Sequence, residues 1–473
     1  MGRKSAVQQA LFVRSDELAA APRHRFYEKL NELLGGAGFD RFVEGLCEPH
    51  FSVAGTQGRI STPPGQYYRM LLIGYFEGIE SERGICWRIE DSLSLKAFVG
   101  CAVHERAPDH STLSRLRTRL PLSVYEQVFR FVMGVLNQQG LLKGRVAGVD
   151  STYLRADASM KNIVRRGSGE GYKGYLKRLA KESGIANPTE EDARNFDRTR
   201  KKSMSNKDWV SSTDGEAEIT RLKDGRTRLA YKAEHTIDME TGAVLAAEIL
   251  SATASDAETV ITSTDKANEN IAAARVDEDD DDDHGDGGAT VGSDAIEEVV
   301  GDKGYHKAST IQHFADEGVR TYIPERKQRG RRHWQETGGR EMAKAVYQNR
   351  ARVKRSKSKR YQRQRGELLE RTFAHICETG NHRRTRLRGR ENVHKRYLMQ
   401  AAAFNLGLVM RKMMGRGTPR GLADAAARLF AVLATLRGFC AQALHGGWEI
   451  CARLAVFSTY LRNWQQPVSS TGC

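Results

Sequence analysis

The sequence has no cysteine pair at metal-binding or redox spacing. Its seven cysteines, Cys47, Cys86, Cys101, Cys377, Cys440, Cys451 and Cys473, are odd in number, widely scattered and never form a CxxC motif. That argues against a disulfide framework and against a zinc knuckle. No apolar run approaches the ~18 to 20 residues of a membrane span, and Met1 to Ala10 lacks the apolar core of a secretory signal. A reduced, cytoplasmic protein with no membrane partner is therefore expected. Internal repeats at solenoid or propeller periods are missing as well. Acidic residues are scarce in one place: residues 326–365 hold sixteen Lys or Arg against Glu336 and Glu341 alone.

That local excess of +14 nearly accounts for the formal +16 of the whole chain, so the positive charge is concentrated and the rest is close to neutral. A concentrated basic surface points to a polyanionic partner, nucleic acid before an anionic membrane surface. The chain is 473 residues long and 39% hydrophobic, enough for two or three folded units with real cores.

From Ser15 to Leu142 apolar residues recur at three- and four-residue spacing, as in Phe26, Leu30, Leu33 and Leu34 and again in Met70, Leu71, Ile73 and Phe76. The spacing predicts an all-helical unit over 1–142. Pro63 and Pro64 sit where a helix starts, and Asp109 caps a helix over 109–120 that is expected to project Arg115, Arg117 and Arg119 outward. Those arginines suit the second helix of a helix-turn-helix or the solvated face of a bundle.

At Gly144 the texture changes. Strands are expected at 145–154, 228–239 and 243–250, the last two joined as a hairpin through Glu240, Thr241 and Gly242. A helix at 256–274, a strand at 298–301, a helix at 309–317 and a strand at 319–323 complete an α/β unit with a mixed sheet, over 143–410. Two interruptions break it: a polar insertion at 157–227 and an acidic solvated loop at 275–293, centred on Asp277 to Asp283. Further helices follow at 367–379 and 398–414, and residues 411–473 form an amphipathic helical tail.

Three carboxylates in this unit stand out. Asp150 interrupts the apolar run Val146, Ala147, Gly148, Val149, a costly place for an acid unless it is paired or metal-bound, although it also suits the cap of a strand end. Asp302 follows Val299, Val300 and Gly301 at the C-terminal end of a strand, where open sheets gather their ligands. The third comes from the helix at 367–379. At ~100° per residue Leu369, Phe373 and Ile376 share one face; Glu370 flanks it, whereas Glu367 and Glu378 point away. The alternative for Glu370 is a surface pair with Arg371 or Arg363. Three hard-oxygen side chains suit two Mg²⁺ ions, with Mn²⁺ as substitute, about 3.5 to 4 Å apart and able to stabilise both oxygens of a phosphodiester displacement. Upstream, Arg350, Arg352, Lys354, Arg355, Lys359, Arg360, Arg363 and Arg365 are candidate phosphate contacts. Trp334 and Tyr361 either stack on an unpaired base or are packed inside.

The stretch 63–120, with Ser81-Glu82-Arg83 and Pro108-Asp109-His110-Ser111, resembles the N-terminal helical domain of transposases of the insertion-sequence-five superfamily. VDST at 149–152, GDKGY at 301–305, ERTFAHICETGNHRRTRLRG at 370–389 and AAAFNLG at 401–407 are similar to that family's catalytic blocks. The resemblance spans about residues 15 to 410. It implies an RNase H-like catalytic domain whose DDE triad and metal ligands are Asp150, Asp302 and Glu370. It also implies a bacterial, nucleoid-associated enzyme that works as a homo-oligomer on DNA: it binds terminal inverted repeats, cuts with water and joins the freed 3′-hydroxyl to target DNA. One departure is visible. The family often carries Arg four residues before the glutamate and Lys seven after, and here those positions are Gly366 and Cys377, with Arg363 and Arg365 nearby. A metal-dependent nuclease that does not join, and a catalytically inactive DNA-binding derivative, stay open beside the transposase.

Overall fold

The computed structural model describes residues 24–51, 61–199, 205–222, 224–275, 295–326, 334, 339–422, 433 and 435. The acidic loop and nearly all of the C-terminal tail lie outside the described residues. Residues up to Gly417 cluster into one compact unit and those from Thr418 into a second. Among the described residues no helix is long and apolar enough to cross a membrane.

Among the described residues the first unit opens with seven α-helices, α1 (Arg25–Gly36), α2 (Phe39–Cys47), α3 (Pro64–Glu77), α4 (Glu82–Glu90), α5 (Leu93–Val99), α6 (His110–Arg119) and α7 (Leu122–Gln138). Local chemistry sets their starts: Pro64 opens α3, Ser81 Oγ accepts from Gly84 N to cap α4, and Asp109 accepts from Ser111 N to cap α6. α3 is buried on nearly every side, so its polar groups must find partners inside. Arg69 meets both carboxylate oxygens of Asp40 at 2.9 and 2.7 Å, and the Tyr67 and Tyr125 hydroxyls, 2.6 Å apart, tie α3 to α7.

The sheet begins with β1 (Val146–Arg155). After it come β2 (Ile163–Arg165), α8 (Tyr172–Glu182), α9 (Glu190–Thr199), β3 (Trp209–Ser211), β4 (Glu218–Arg221), β5 (Thr227–Asp238), β6 (Val244–Ser251) and α10 (Asp256–Ala273). β7 (Glu298–Val300), α11 (Ala308–Asp316), β8 (Arg320–Tyr322), α12 (Gly339–Val353), α13 (Ser356–Ala374) and α14 (Arg390–Met414) complete the unit. β5 pairs antiparallel with β1 on one side and with both β6 and β4 on the other; β7 and β8 then add parallel beyond β1. The expected hairpin is β5–β6, turning through Gly242 at a φ of 78°.

The stretch set apart as an insertion is folded. α8 and α9 pack together beside the β2–β3 ribbon, with Trp209 edge-on to Tyr172 and Tyr175. Its last strand, β4, belongs to the main sheet.

Alternation along the strands divides the sheet's two faces. Asp150 and His235 are cross-strand partners, as are Ser151 and Glu234 on the opposite face. α10 covers the Ser151 face, where Thr259 and Ser263 both donate to Glu234. α13 covers the Asp150 face, where Phe373 stacks on His235 with centroids 4.2 Å apart. α14 lies between α7, α3 and β6. Its Asn405 accepts from Val244 N and donates to Val244 O, both at 2.9 Å, which satisfies backbone at the sheet's edge strand.

Candidate active site

Parallel pairing of β1 with β7 sets Gly148 beside Val300, and the chain advances two residues on each strand to reach Asp150 and Asp302. The two acids therefore stand at neighbouring strand positions, at the edge where β7 has ended and β1 runs on. Asp302 caps the short turn Lys303–Tyr305, its Oδ1 accepting from Gly304 N at 2.6 Å. Asp150 Oδ1 accepts from Ser151 N at 2.8 Å, and its Oδ2 faces Arg365.

α13 is held across this edge by polar as well as apolar contacts. Tyr361 and Lys357 both donate to the buried Glu298 of β7 at 2.8 Å, and Gln362 donates to the carbonyls of Gly301 and Tyr322 at 2.9 and 2.8 Å. Leu368 packs against Val146, Met239, Val300 and Tyr322, and Leu369 is fully buried. Arg365 Nη1 donates to Asp150 Oδ2 at 2.9 Å and to Val149 O at 3.2 Å. Its stem crosses β1 at Gly148, where a Cβ would lie 3.3 Å from Arg365 Cγ and 2.6 Å from Met239 Sδ. Only glycine leaves that passage open.

On the other face a second group of charges reaches the same edge. Ser151 Oγ donates to Asp256 Oδ1 at 3.3 Å, and Asp256 pairs with the buried Lys232 at 2.6 Å. A Cβ on Gly304 would sit 2.8 Å from Asp302 Oδ1 and 3.0 Å from Asp256 Oδ2, so these two carboxylates flank one point. Beneath them Glu234 receives the Tyr305 hydroxyl at 3.1 Å and Thr259 Oγ1 at 2.8 Å. Burial pushes the Glu234 carboxyl up, against the pull of Ser263, Lys232, Thr259 and Tyr305. His235, opposite Asp150, is driven down to about 3 by burial, so it is neutral at physiological pH and adds no charge to the edge.

Glu370 lies on α13 five residues beyond Arg365, exposed and with no hydrogen bond or ion pair to another described residue. Its competitors are engaged elsewhere: Glu367 pairs with Arg371 and Glu378 with Arg383. Among the described residues no three His, Cys, Asp or Glu side chains are gathered closely enough to hold an ion. In donor chemistry Asp150 and Asp302 fit a divalent cation, because both offer hard carboxylate oxygens at an open strand edge. Arg365 occupies that position at Asp150 in this arrangement.

The candidate phosphate contacts divide. Lys354, Arg355, Lys359, Arg360 and Arg363 are exposed and have no acidic partner among the described residues. Arg350 is engaged by Glu325 at 2.8 and 3.2 Å, and Arg352 donates to Thr321 O at 3.1 Å. Arg365, expected at the DNA backbone, is turned inward. On α6, Arg115 and Arg119 are exposed, but Arg117 is paired with Glu82 and mostly buried, against the outward position expected for it. Tyr361 is tied to Glu298 by its hydroxyl, and Trp334 stands edge-on to Tyr347.

Asp256, Lys232 and Glu234 were not singled out from the sequence. Asp256 reads as an ordinary first-turn acid of a helix, and Lys232 and Glu234 alternate with apolar residues as a solvated strand face does. That alternation was the available signal, because a polar strand face covered by a helix must carry a network.

Two family models match the chain: Transposase domain (DUF772) over residues 15–119, and Transposase DDE domain over residues 325–410. No curated protein and no solved structure matches it. The first match covers the helical front of the molecule, and the second begins before α12 and runs through α13, Arg365, Glu370 and most of α14. The chain thus carries two transposase domains in this order, the second of the DDE type, which supports a transposase function and is consistent with a DDE transposase of an insertion sequence.

Proposed function

We propose that the protein cuts DNA at the ends of an insertion sequence and joins the freed 3′-hydroxyl to target DNA, with Asp150, Asp302 and Glu370 as its three carboxylates. The observation that carries this reading is the pair of strand-end aspartates beneath a helix that lies within the DDE family match. An RNase H-like catalytic domain is supported by the strand order β6–β5–β1–β7–β8, three antiparallel strands followed by two parallel ones.

Two Mg²⁺ ions, or Mn²⁺ in their place, held by Asp150, Asp302 and Glu370 would stabilise charge on the attacking and leaving oxygens. The remaining work belongs to the chain. Ser151 N and Gly304 N each orient one aspartate by a backbone hydrogen bond, which fixes the direction of the carboxylate's other oxygen. The solvated cations Lys359, Arg360 and Arg363 of α13, with Lys354 and Arg355 just before it, bind the sugar-phosphate backbone, and Arg115 and Arg119 of α6 add contacts to the terminal inverted repeats. A reaction with two ends calls for a homo-oligomer on DNA.

Asp150→Asn keeps the side chain's size and removes its charge. It should abolish cleavage of labelled element ends in Mg²⁺ while DNA binding in a gel shift stays within about twofold of wild type. Cleavage at the wild-type rate refutes the triad. Cut but unjoined ends in the presence of a target plasmid would instead identify a nuclease without strand transfer.

A further inference from the structure

We propose that Arg365 is an internal counter-ion that stands in for the divalent cation at Asp150, and that metal binding expels it from β1 and turns it toward the DNA backbone. The inference rests on Asp150 being a metal-holding carboxylate.

Asp150 has one oxygen committed to backbone, Oδ1 to Ser151 N, and one that a cation can take, Oδ2. Arg365 Nη1 sits on that second oxygen at 2.9 Å. The other groups on this guanidinium are neutral, Val149 O at 3.2 Å and Gln362 Oε1 at 3.4 Å. Among the described residues Asp150 is its one acidic partner, and with only 10% of the side chain exposed water answers little of its charge. A doubly charged ion on Oδ2 and a guanidinium on the same oxygen repel each other more than one charge-assisted hydrogen bond returns, so the two states exclude one another.

On the same helix Arg363 and Arg360 are exposed and have no acidic partner among the described residues; they lie ~200° and ~140° around the axis from Arg365, so release requires its long side chain to leave the sheet-facing side for the flank of the helix. A guanidinium released there gains a partner for which its planar fork is suited. Metal binding thereby adds a phosphate contact, and an empty site keeps its carboxylate neutralised.

Mn²⁺ titration of the full chain without DNA, read by electron paramagnetic resonance, tests the exchange. Arg365→Gln should bind Mn²⁺ on the order of tenfold more tightly than wild type, because the competing charge is gone. Arg365→Lys, which keeps the charge, should stay near wild type, and Asp150→Asn should lose the site. Unchanged Mn²⁺ binding by Asp150→Asn sinks the assignment of Asp150 itself. Loss in Asp150→Asn together with equal or weaker binding by Arg365→Gln overturns the exchange and leaves that assignment standing. Should Arg365→Gln fail to fold, the wild-type chain decides: phenylglyoxal labelling read by mass spectrometry should find Arg365 protected without Mn²⁺ and modified with it. Protection that persists at saturating Mn²⁺ overturns the proposal.

Discussion

Glu248 of β6 shows how burial makes a side chain respond to pH. Burial pushes its carboxyl up to about 7, with Glu126, Glu234 and Glu269 adding to the effect and Lys266 opposing it. The folded value lies above the ordinary 4.5, so the folded state holds this proton more tightly than the unfolded chain does. The stability so gained is complete below pH ~4.5 and is lost as pH rises through about 7. Glu248→Gln, which cannot ionise, should therefore stabilise the protein by about 3 kcal/mol at pH 8 and by almost nothing at pH 4.5. Urea midpoints at the two pH values check this, and an equal effect at both removes Glu248 as the cause.

Single residues were legible where helical arithmetic was followed through. Arg115 and Arg119 are four apart and share an exposed face; Arg117, set ~200° from Arg115 along the helix, belongs inside with Glu82. The sequence alone treated the three alike. Arg365 was hidden for a different reason, because its partner Asp150 is 215 residues away and nothing local marks an inward arginine among fifteen basic neighbours.

At the scale of elements, α13 was read only from residue 367 onward, yet it begins at Ser356. Its first half meets the sheet through Lys357, Tyr361, Gln362, Gln364 and Arg365, which bind a carboxylate, backbone carbonyls and Asp150. A helix docked by polar groups leaves no apolar stripe for periodicity to detect. The insertion was opaque for a similar reason, since few apolar residues hold α8 and α9 together. By contrast β1, β5, β6, α10 and β7 were all visible, because each carries a run or alternation that one buried face demands.

Glu298 anchors that polar half. It is buried beneath Lys357, Tyr361 and Tyr322, and removing its charge strands their donors. Glu298→Gln should cost about 2 kcal/mol and Tyr361→Phe about 1 kcal/mol. Amide exchange should also quicken in α13 before it does in α14. A urea midpoint that stays put in Glu298→Gln would mean that the helix is held by its apolar contacts alone.

For the molecule as a whole, the net charge of +16 matters less than where unpaired charge lies. Lys354, Arg355, Lys359 and Arg360 are solvated and available; Arg350 and Arg352 are spent on Glu325 and Thr321. Replacing the first four with Gln should lower the slope of log affinity against log salt by about 3 to 4, at ~0.9 per phosphate contact. Replacing the other two should leave the slope nearly unchanged and lower stability instead. Binding isotherms from 50 to 200 mM salt would separate the two sets, and identical slopes would remove α12 and α13 from the DNA interface.

Strand order was beyond local reading, since only the pairing of β1 with β7 brings Asp150 beside Asp302. The burial of α14 carries a last consequence. Its long middle, from Val393 to Gly407, is enclosed on one side by α3 and α7 and on another by β6, whose backbone Asn405 completes. It acts as a single beam shared by the front helices and the sheet. A fragment that stops short of it would bare apolar surface on both, so neither half of this molecule is a portable module, and a load taken up by the front helices is passed to the strands that carry the acids.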